Sequence, residues 1–112
     1  MQLVHEGRRP IATSVEFADT FLAQARGLMF RRSVPDDYAL VFRFNEAERR
    51  SLHMLFVPFP IDALWLVDGE VTKRARLSGW TGLGWGTADT IVELPAGAAD
   101  GVDIGDAVEL VE

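Results

Sequence analysis

The longest apolar stretch of the chain covers residues 51–69, where a histidine, two prolines and an aspartate are the main interruptions. A membrane-spanning helix would need about 18 or more consecutive apolar residues. Pro58 and Pro60 interrupt this stretch and bias the residues before them towards extended backbone. The pattern therefore predicts two strands, residues 52–57 and 61–67, joined by a bend. Both are apolar at nearly every position, which is typical of strands buried on both faces.

A hairpin is predicted directly after the second strand. Asp68 and Gly69 form the dipeptide that two-residue turns with positive φ prefer. We expect residues 70–77 to pair antiparallel with the strand before the turn. Uninterrupted pairing places Asp62 opposite Ala75, on the same face of the hairpin.

The rest of the chain predicts one helix and several short strands. Apolar residues recur at helical spacing over about residues 19–31, and a helix here would cover a sheet with one face. Residues 45–50 are charged and are predicted to form a surface loop. Residues 78–87 contain four glycines and two tryptophans and are predicted to form a mobile or tightly curved loop. Further strands are predicted at residues 3–6, 11–15, 38–44, 90–94 and 107–111.

These elements predict an α+β fold that is mostly β. About seven short strands would form a compact, barrel-like or sandwich-like antiparallel sheet with one amphipathic covering helix. A chain of 112 residues is expected to be a single domain, residues 1–112.

Composition excludes several classes of function. The formal net charge of −6 argues against nucleic acid as a partner, because phosphate binding needs a basic surface. The chain has no cysteine, so disulfides, thiol catalysis and cysteine-based zinc sites are excluded. The N-terminus has no apolar core of signal-peptide length, so we expect a cytoplasmic protein without a membrane partner.

Six short segments occur in an order that resembles a known family. They are residues 27–31 (GLMFR), 53–54 (HM), 60–62 (PID), 77–80 (LSGW), 93–97 (ELPAG) and 104–106 (IGD). This set resembles the family of domain of unknown function 192 over nearly the whole chain. The resemblance implies a compact, β-barrel-like sheet with a helix packed on it and implies no agreed biochemical activity. Many members of that family carry a Trp-Met-Lys-Asn-Thr type of segment where this chain has residues 51–57.

Three ionisable residues lie in strands that the pattern predicts to be buried. His53, next to Met54, and Asp62 belong to the central apolar stretch, and Glu93 belongs to a later strand. Together they could line a cleft and perform acid–base chemistry, or bind a metal through mixed nitrogen and oxygen ligands.

A structural role for the same residues is favoured. Asp62 would accept backbone N–H groups, and Glu93 would pair with an arginine such as Arg43 or Arg74. We expect no metal and no cofactor, since the chain has only two histidines.

Two further groups are candidates for ligand contacts. Trp80 and Trp85 could stack on a ligand, or they could fold down as a lid on the sheet. Lys73, Arg74 and Arg76 could form an anion patch, but a solvated strand face with Arg74 over Trp65 is the simpler explanation.

The sequence therefore favours a non-enzymatic domain that binds an unknown small molecule or a protein, as a monomer or homodimer. The alternative is a small hydrolytic or metal-assisted enzyme that uses Asp62, Glu93 and His53. Convergence of the three side chains in one pocket would favour the enzyme.

Overall fold

A computed structural model describes all 112 residues, with the exception of the side chain of Phe21. The described backbone forms eight strands and one short helix. They are β1 (Gln2–His5), β2 (Arg9–Ala12), β3 (Ser14–Phe17), α1 (Phe21–Arg26), β4 (Tyr38–His53), β5 (Ile61–Val67), β6 (Glu70–Leu77), β7 (Leu83–Pro95) and β8 (Val108–Val111).

The strands form two sheets. The smaller sheet has the order β2-β1-β8, and the larger has the order β3-β4-β7-β5-β6. All neighbouring strands are antiparallel except β3 and β4, which are parallel. The predicted α+β, mostly β class is confirmed, and over the described residues the sheets do not close into a barrel.

Two cores lie on opposite faces of the larger sheet. The first core fills the space between the two sheets, where Leu3 and Val108 meet Leu64 and Val92. The second core lies on the other face. It contains Trp65 and Ile91 from the sheet, covered by Leu28, Met54 and Val57 from the turns beside it. Because β5 is buried on both faces, the prediction from its continuous apolar pattern is confirmed.

The helix is shorter than the predicted range of 19–31. The Thr20 Oγ1 atom accepts a hydrogen bond from the Ala23 N–H over 3.0 Å, and this caps the start of α1. Gly27 has a φ of 51° and ends the helix after six residues. Leu28 continues the apolar face from a turn, so the helical spacing extends beyond the helix itself.

Strand β4 differs most from the prediction. It spans 16 residues and includes residues 45–50, which were predicted to be a surface loop. Pairing with β7 is interrupted between Arg43 and Glu48, where the register shifts, and then resumes as far as His53. The charged residues of this segment stay largely exposed. Their backbone can therefore pair with β7 while the charges remain in solvent. The strand predicted at 52–57 therefore ends at His53, and a turn follows.

The glycine-rich segment is also largely a strand. Gly84 and Gly86 lie in β7 and pass over the ring of Trp65. A Cβ atom at either position would lie 3.0 Å from a ring carbon of Trp65, and at Gly86 it would also lie 2.9 Å from the Lys73 Cβ. The glycines therefore serve close packing, and Trp85 between them points outwards.

The predicted hairpin between β5 and β6 is confirmed, but its register changes part of the way along. Leu66 pairs with Val71, whereas Trp65 pairs with Lys73, so Thr72 is an extra residue in β6. Over the residues that the structure describes, no helix is long and apolar enough to cross a membrane.

Candidate functional site

A cavity of about 160 Å³ lies beside α1 and contains two of the predicted site residues. Arg26 and Gly27 line it from the end of the helix, and Ser51 and His53 line it from the end of β4. Glu93 lines it from β7. The end of β4 supplies one of these walls, on the same strand as residues 45–50, which were predicted to form a loop.

Glu93 is the buried charged group of this cavity. It pairs with Leu40 on one side and Ala63 on the other, so its side chain points to the second core, and the residue is only 5% exposed. Among the described residues, its carboxyl group has no hydrogen bond or ion pair, and its oxygens are not among the fully buried atoms without a partner. Burial raises the pKa of Glu93 to about 7, while the positive charge of Arg31 opposes this rise. Near neutral pH the carboxyl therefore exists in both protonation states.

Gly27 gives the Glu93 carboxyl its space. A Cβ atom at Gly27 would lie 3.3 Å from Glu93 Oε1, which is closer than most such contacts. The same glycine has positive φ and ends α1. One residue therefore both ends the helix and keeps the cavity open above the carboxyl.

His53 is exposed at the end of β4, and Met54 after it is buried in the second core. The Leu55 N–H donates to His53 Nδ1 over 3.3 Å. A neutral His53 therefore carries its proton on Nε2, where it is a hydrogen-bond donor.

Asp62 does not belong to this site. It pairs with Leu94, so it faces the first core, on the opposite side of the sheet from Glu93. Arg76 donates to both of its oxygens, and the N–H groups of Gly97 and Ala99 each donate to Oδ2 over 3.0 Å. The structure thus brings Glu93 together with His53 but does not bring Asp62 to them.

The arginines proposed as partners of Glu93 have other contacts. Arg43 forms an ion pair with Asp19, and Arg74 donates to the carbonyls of Ala99 and Val102. Glu93 is therefore not paired with either of them.

The three basic residues of β6 are not grouped in one patch. Lys73 lies opposite Trp65 and faces the second core, whereas Arg74 and Arg76 face the other side of the sheet. Neighbouring strand positions point to opposite faces, so Lys73 is separated from the two arginines, and the structure does not bring the three cations into one anion pocket.

The two candidate stacking residues have different surroundings. Trp85 is half exposed on β7, with the Arg49 guanidinium 5.8 Å from its ring centre. Trp80 lies on a turn, 6.3 Å from Phe56 in an edge-to-face arrangement, and Phe56 stacks on Phe30 at 5.1 Å. We call Phe30, Phe56 and Trp80 the aromatic ledge; they are 66%, 47% and 54% exposed.

Sequence reasoning missed Phe30 and Phe56 as site residues. Both lie in apolar segments that read as core, so their exposure was not visible from the pattern. Their positions beside turn signals, three residues after Gly27 and two before Pro58, were the available clue.

The aromatic ledge is held by unusual backbone. All three of its residues have positive φ, between 61° and 70°, which costs a residue with a side chain about 1–2 kcal/mol each. The Phe30 N–H donates to the Phe56 carbonyl over 2.8 Å, and the Trp80 N–H donates to the Val57 carbonyl over 2.8 Å. Three separate turns are therefore tied together with their rings directed to solvent.

A second group of ionisable residues lies at the edge of the smaller sheet. His5, Glu6 and Asp106 have donor atoms within 4.8 Å of one another, the spacing that a metal site requires. His5 Nε2 and Asp106 Oδ2 are 2.7 Å apart, and the Asp103 N–H donates to the same carboxyl. These two hydrogen bonds, the backbone one first, lower the pKa of Asp106. The contacts connect β1 to the turn before β8, which is a structural role.

The fold defines a mostly β domain with one short helix. A family model matches residues 2–110, and its family is domain of unknown function 192, described as "Uncharacterized ACR". The chain belongs to this family, and the resemblance seen in the ordered sequence segments is confirmed.

Two curated relatives come from Thermococcus species. UPF0127 protein TK1120 of Thermococcus kodakarensis is 41% identical over 71 residues, a match that covers 56% of this chain and 44% of the relative. A UPF0127 protein of Thermococcus gammatolerans is 35% identical over 69 residues, covering 56% and 45%. The matches therefore span less than half of each relative's length.

Two solved structures share the fold. A protein of unknown function from Novosphingobium aromaticivorans aligns with a TM-score of 0.83 at 24% identity, covering 97% of this chain and 84% of that one. A Sinorhizobium meliloti protein described as a "putative transcription regulator" aligns with a TM-score of 0.81 at 25% identity, covering 96% and 89%. The first of these likenesses establishes the fold alone.

Proposed function

We propose that this domain is a non-enzymatic binding domain whose cavity takes the protonated amine of a small molecule. The observation that carries the proposal is the Glu93 carboxyl, which faces the cavity, is 5% exposed and has no partner among the described residues. A buried charge of this kind costs free energy unless an opposite charge or donor meets it. A cationic nitrogen supplies both.

Two arginines near the cavity restrict where the positive charge of the amine can lie. Arg31 is near enough to lower the pKa of Glu93, but it is engaged by Glu16 at 3.4 Å and lies over the Tyr38 ring. Arg26 lines the exposed side of the cavity. A positive charge on the ligand is therefore best placed deep, at Glu93, with the rest of the molecule directed outwards.

Binding should depend on pH in a defined direction. Because burial raises the pKa of Glu93 to about 7, the free protein at lower pH must release this proton to bind a cation. The affinity for an amine therefore rises as the pH increases from about 5 to about 7 and then becomes constant.

Isothermal titration calorimetry with ethylamine tests this proposal. We expect Glu93→Gln to weaken binding at least about tenfold at pH 7.5, equivalent to about 1.4 kcal/mol. The matched control is Glu109→Gln, which removes the same charge from an exposed position on β8. Equal affinity of the wild type and Glu93→Gln would show that the carboxyl is not the anchor.

A hydrolytic enzyme is the second candidate, because His53 and Glu93 share one cavity. The Glu93 carboxyl, with a pKa of about 7, could exchange protons with a substrate and a water molecule, and the His53 imidazole could act beside it. Such an enzyme would turn over a panel of esters and amides, with a rate that falls in both Glu93→Gln and His53→Gln. Absence of turnover together with amine binding would favour the binding domain.

DNA is disfavoured as a partner of this chain, because a net charge of −6 repels a phosphate backbone. Binding of duplex DNA at low salt, measured by fluorescence anisotropy, would contradict this choice.

A further inference from the structure

We infer that the aromatic ledge is the second half of the same site and selects an amine that carries a flat apolar body, such as an arylalkylamine. This inference rests on the proposed function, because the amine end of the ligand is the part that Glu93 would hold. The inference assigns the apolar end of the ligand to the ledge, so the occupant of the ledge is a small molecule.

The exposure of the three rings is the first observation. Phe30, Phe56 and Trp80 stack with one another, yet about half or more of each residue faces solvent. The exposed part of this apolar area, about half of it, is available for a contact from outside.

The use of arginine elsewhere in the chain is the second observation. Arginines lie over four other aromatic rings at 3.6 to 5.8 Å. They cover Phe17, Tyr38, Phe44 and Trp85. Among the described residues, no arginine or lysine of the chain covers a ledge ring. The chain thus caps Trp85 with its own cation but leaves the ledge available.

The backbone conformation holds the three ledge rings in fixed positions at the surface. The three ledge residues all have the left-handed φ that side chains rarely adopt, on three different turns. Backbone hydrogen bonds to Phe56 and Val57 hold these turns together. Backbone strain of this kind persists where surrounding structure enforces it, and it is concentrated at functional sites.

Two residues of the ledge are chain neighbours of residues that line the cavity. Met29 and Val57 line the cavity, and they are the chain neighbours of Phe30 and Phe56. A volume of about 160 Å³ accommodates a head group and a short linker, while a drug-sized ligand usually needs a pocket of about 300–1,000 Å³. The remainder of a larger ligand would therefore lie outside, beside the rings.

The size of the ledge favours a small molecule over a protein. Aromatic side chains offer about 150–250 Å² each, so the three rings at their observed exposure present roughly 250–400 Å². A stable protein interface needs about 800 Å² on each partner. One or two rings of a ligand can be covered by the ledge, with the buried carboxyl as the anchor.

The test compares ethylamine with 2-phenylethylamine by calorimetry at pH 7.5, in the wild type and in variants. We expect the wild type to bind 2-phenylethylamine at least about tenfold more tightly than ethylamine. Trp80→Ala and Phe56→Leu should reduce this ratio to below about threefold, because they weaken the binding of 2-phenylethylamine more than the binding of ethylamine. Trp85→Ala, which removes an exposed tryptophan outside the ledge, should keep the full ratio. Circular dichroism checks that each variant is folded, and Phe56→Leu keeps an apolar side chain at its position.

The two proposals fail in different ways. If ledge variants keep the full ratio while ethylamine binding still depends on Glu93, this inference is overturned and the proposed function stands. If neither amine binds in a manner that depends on Glu93, the proposed function is overturned and the inference with it. Light scattering that shows a dimer dissociated by Trp80→Ala would assign the ledge to a second copy of the chain and would also overturn the inference.

Discussion

Arg76 donates from Nε to the Oδ1 atom of Asp62 over 2.8 Å, and this ion pair exists because of the one extra residue in β6. Uninterrupted pairing from the Asp68-Gly69 turn would place Ala75 opposite Asp62. The extra residue, Thr72, moves Arg76 to that position instead. The carboxyl that faces the first core is thereby matched with a cation, and it also holds the loop that follows β7 through two backbone N–H groups.

Replacement of Asp62 should affect stability and not ligand binding. Asp62→Asn removes the ionised acceptor for Arg76, Gly97 and Ala99. We therefore expect the free energy of unfolding to fall by about 1.5–3 kcal/mol. Urea denaturation measures this change, and ethylamine affinity should remain as in the wild type. The control is Asp100→Asn, which removes an exposed partner of the same arginine and should cost below about 1 kcal/mol. Weakened amine binding in Asp62→Asn would place this residue in the site after all.

The hydroxyl of Thr72 should be needed to stabilise the irregular register. Its Oγ1–H is shared between the carbonyls of Thr87 at 2.6 Å and Trp65 at 3.1 Å. Thr72→Val keeps the shape but removes the donor, and we expect a loss of about 1 kcal/mol in urea denaturation. Thr72→Ser retains the hydroxyl and should lose less. The assignment of this hydrogen bond is wrong if the valine variant is the more stable of the two.

Glu93 should give the protein a characteristic loss of stability with rising pH. Its pKa is about 7 in the folded protein, and its ordinary value of 4.5 applies to the unfolded chain. The folded state therefore binds the proton more tightly than the unfolded state. The free energy of unfolding should therefore fall from pH 4.5 to about pH 7 and then become constant. This separation corresponds to a loss of about 3 kcal/mol at most.

Urea denaturation of Glu93→Gln provides the comparison. The variant should lack this decline, whereas Glu109→Gln should keep it. Asp106 acts in the opposite direction, because its pKa is lowered, and its stabilisation is lost only as the pH falls below 3.8. An unchanged slope in Glu93→Gln between pH 4.5 and 7 would contradict the buried, unpartnered state of this carboxyl.

The positive φ of Trp80 can be tested by an inverted preference between glycine and alanine. At most positions alanine is the more stable choice by about 0.4–1 kcal/mol, because it restricts the unfolded chain. At a φ of 66°, glycine avoids a steric cost of about 1–2 kcal/mol. We therefore expect Trp80→Gly to have a higher thermal midpoint than Trp80→Ala. Trp85 in β7 should show the ordinary order, with Trp85→Ala more stable than Trp85→Gly.

Part of the candidate site was predictable, and part was not. His53 and Glu93 were identified because an ionisable side chain in an apolar strand is visible in the pattern of residues alone. Phe30 and Phe56 were missed because an aromatic residue in an apolar segment looks the same whether it is buried or exposed. Their exposure follows from three turns that meet only in the folded chain.

The sequence by itself determined the features that depend on near neighbours. Prolines and the Asp68-Gly69 turn divide the central apolar stretch, and the continuous apolar pattern of β5 specifies burial on both faces. Tertiary structure alone decided which side chains meet, because those meetings depend on strand pairing between distant segments. One extra residue at Thr72 gives Asp62 its arginine, and the sheet then separates Asp62 from Glu93, since neighbouring strand positions point to opposite faces.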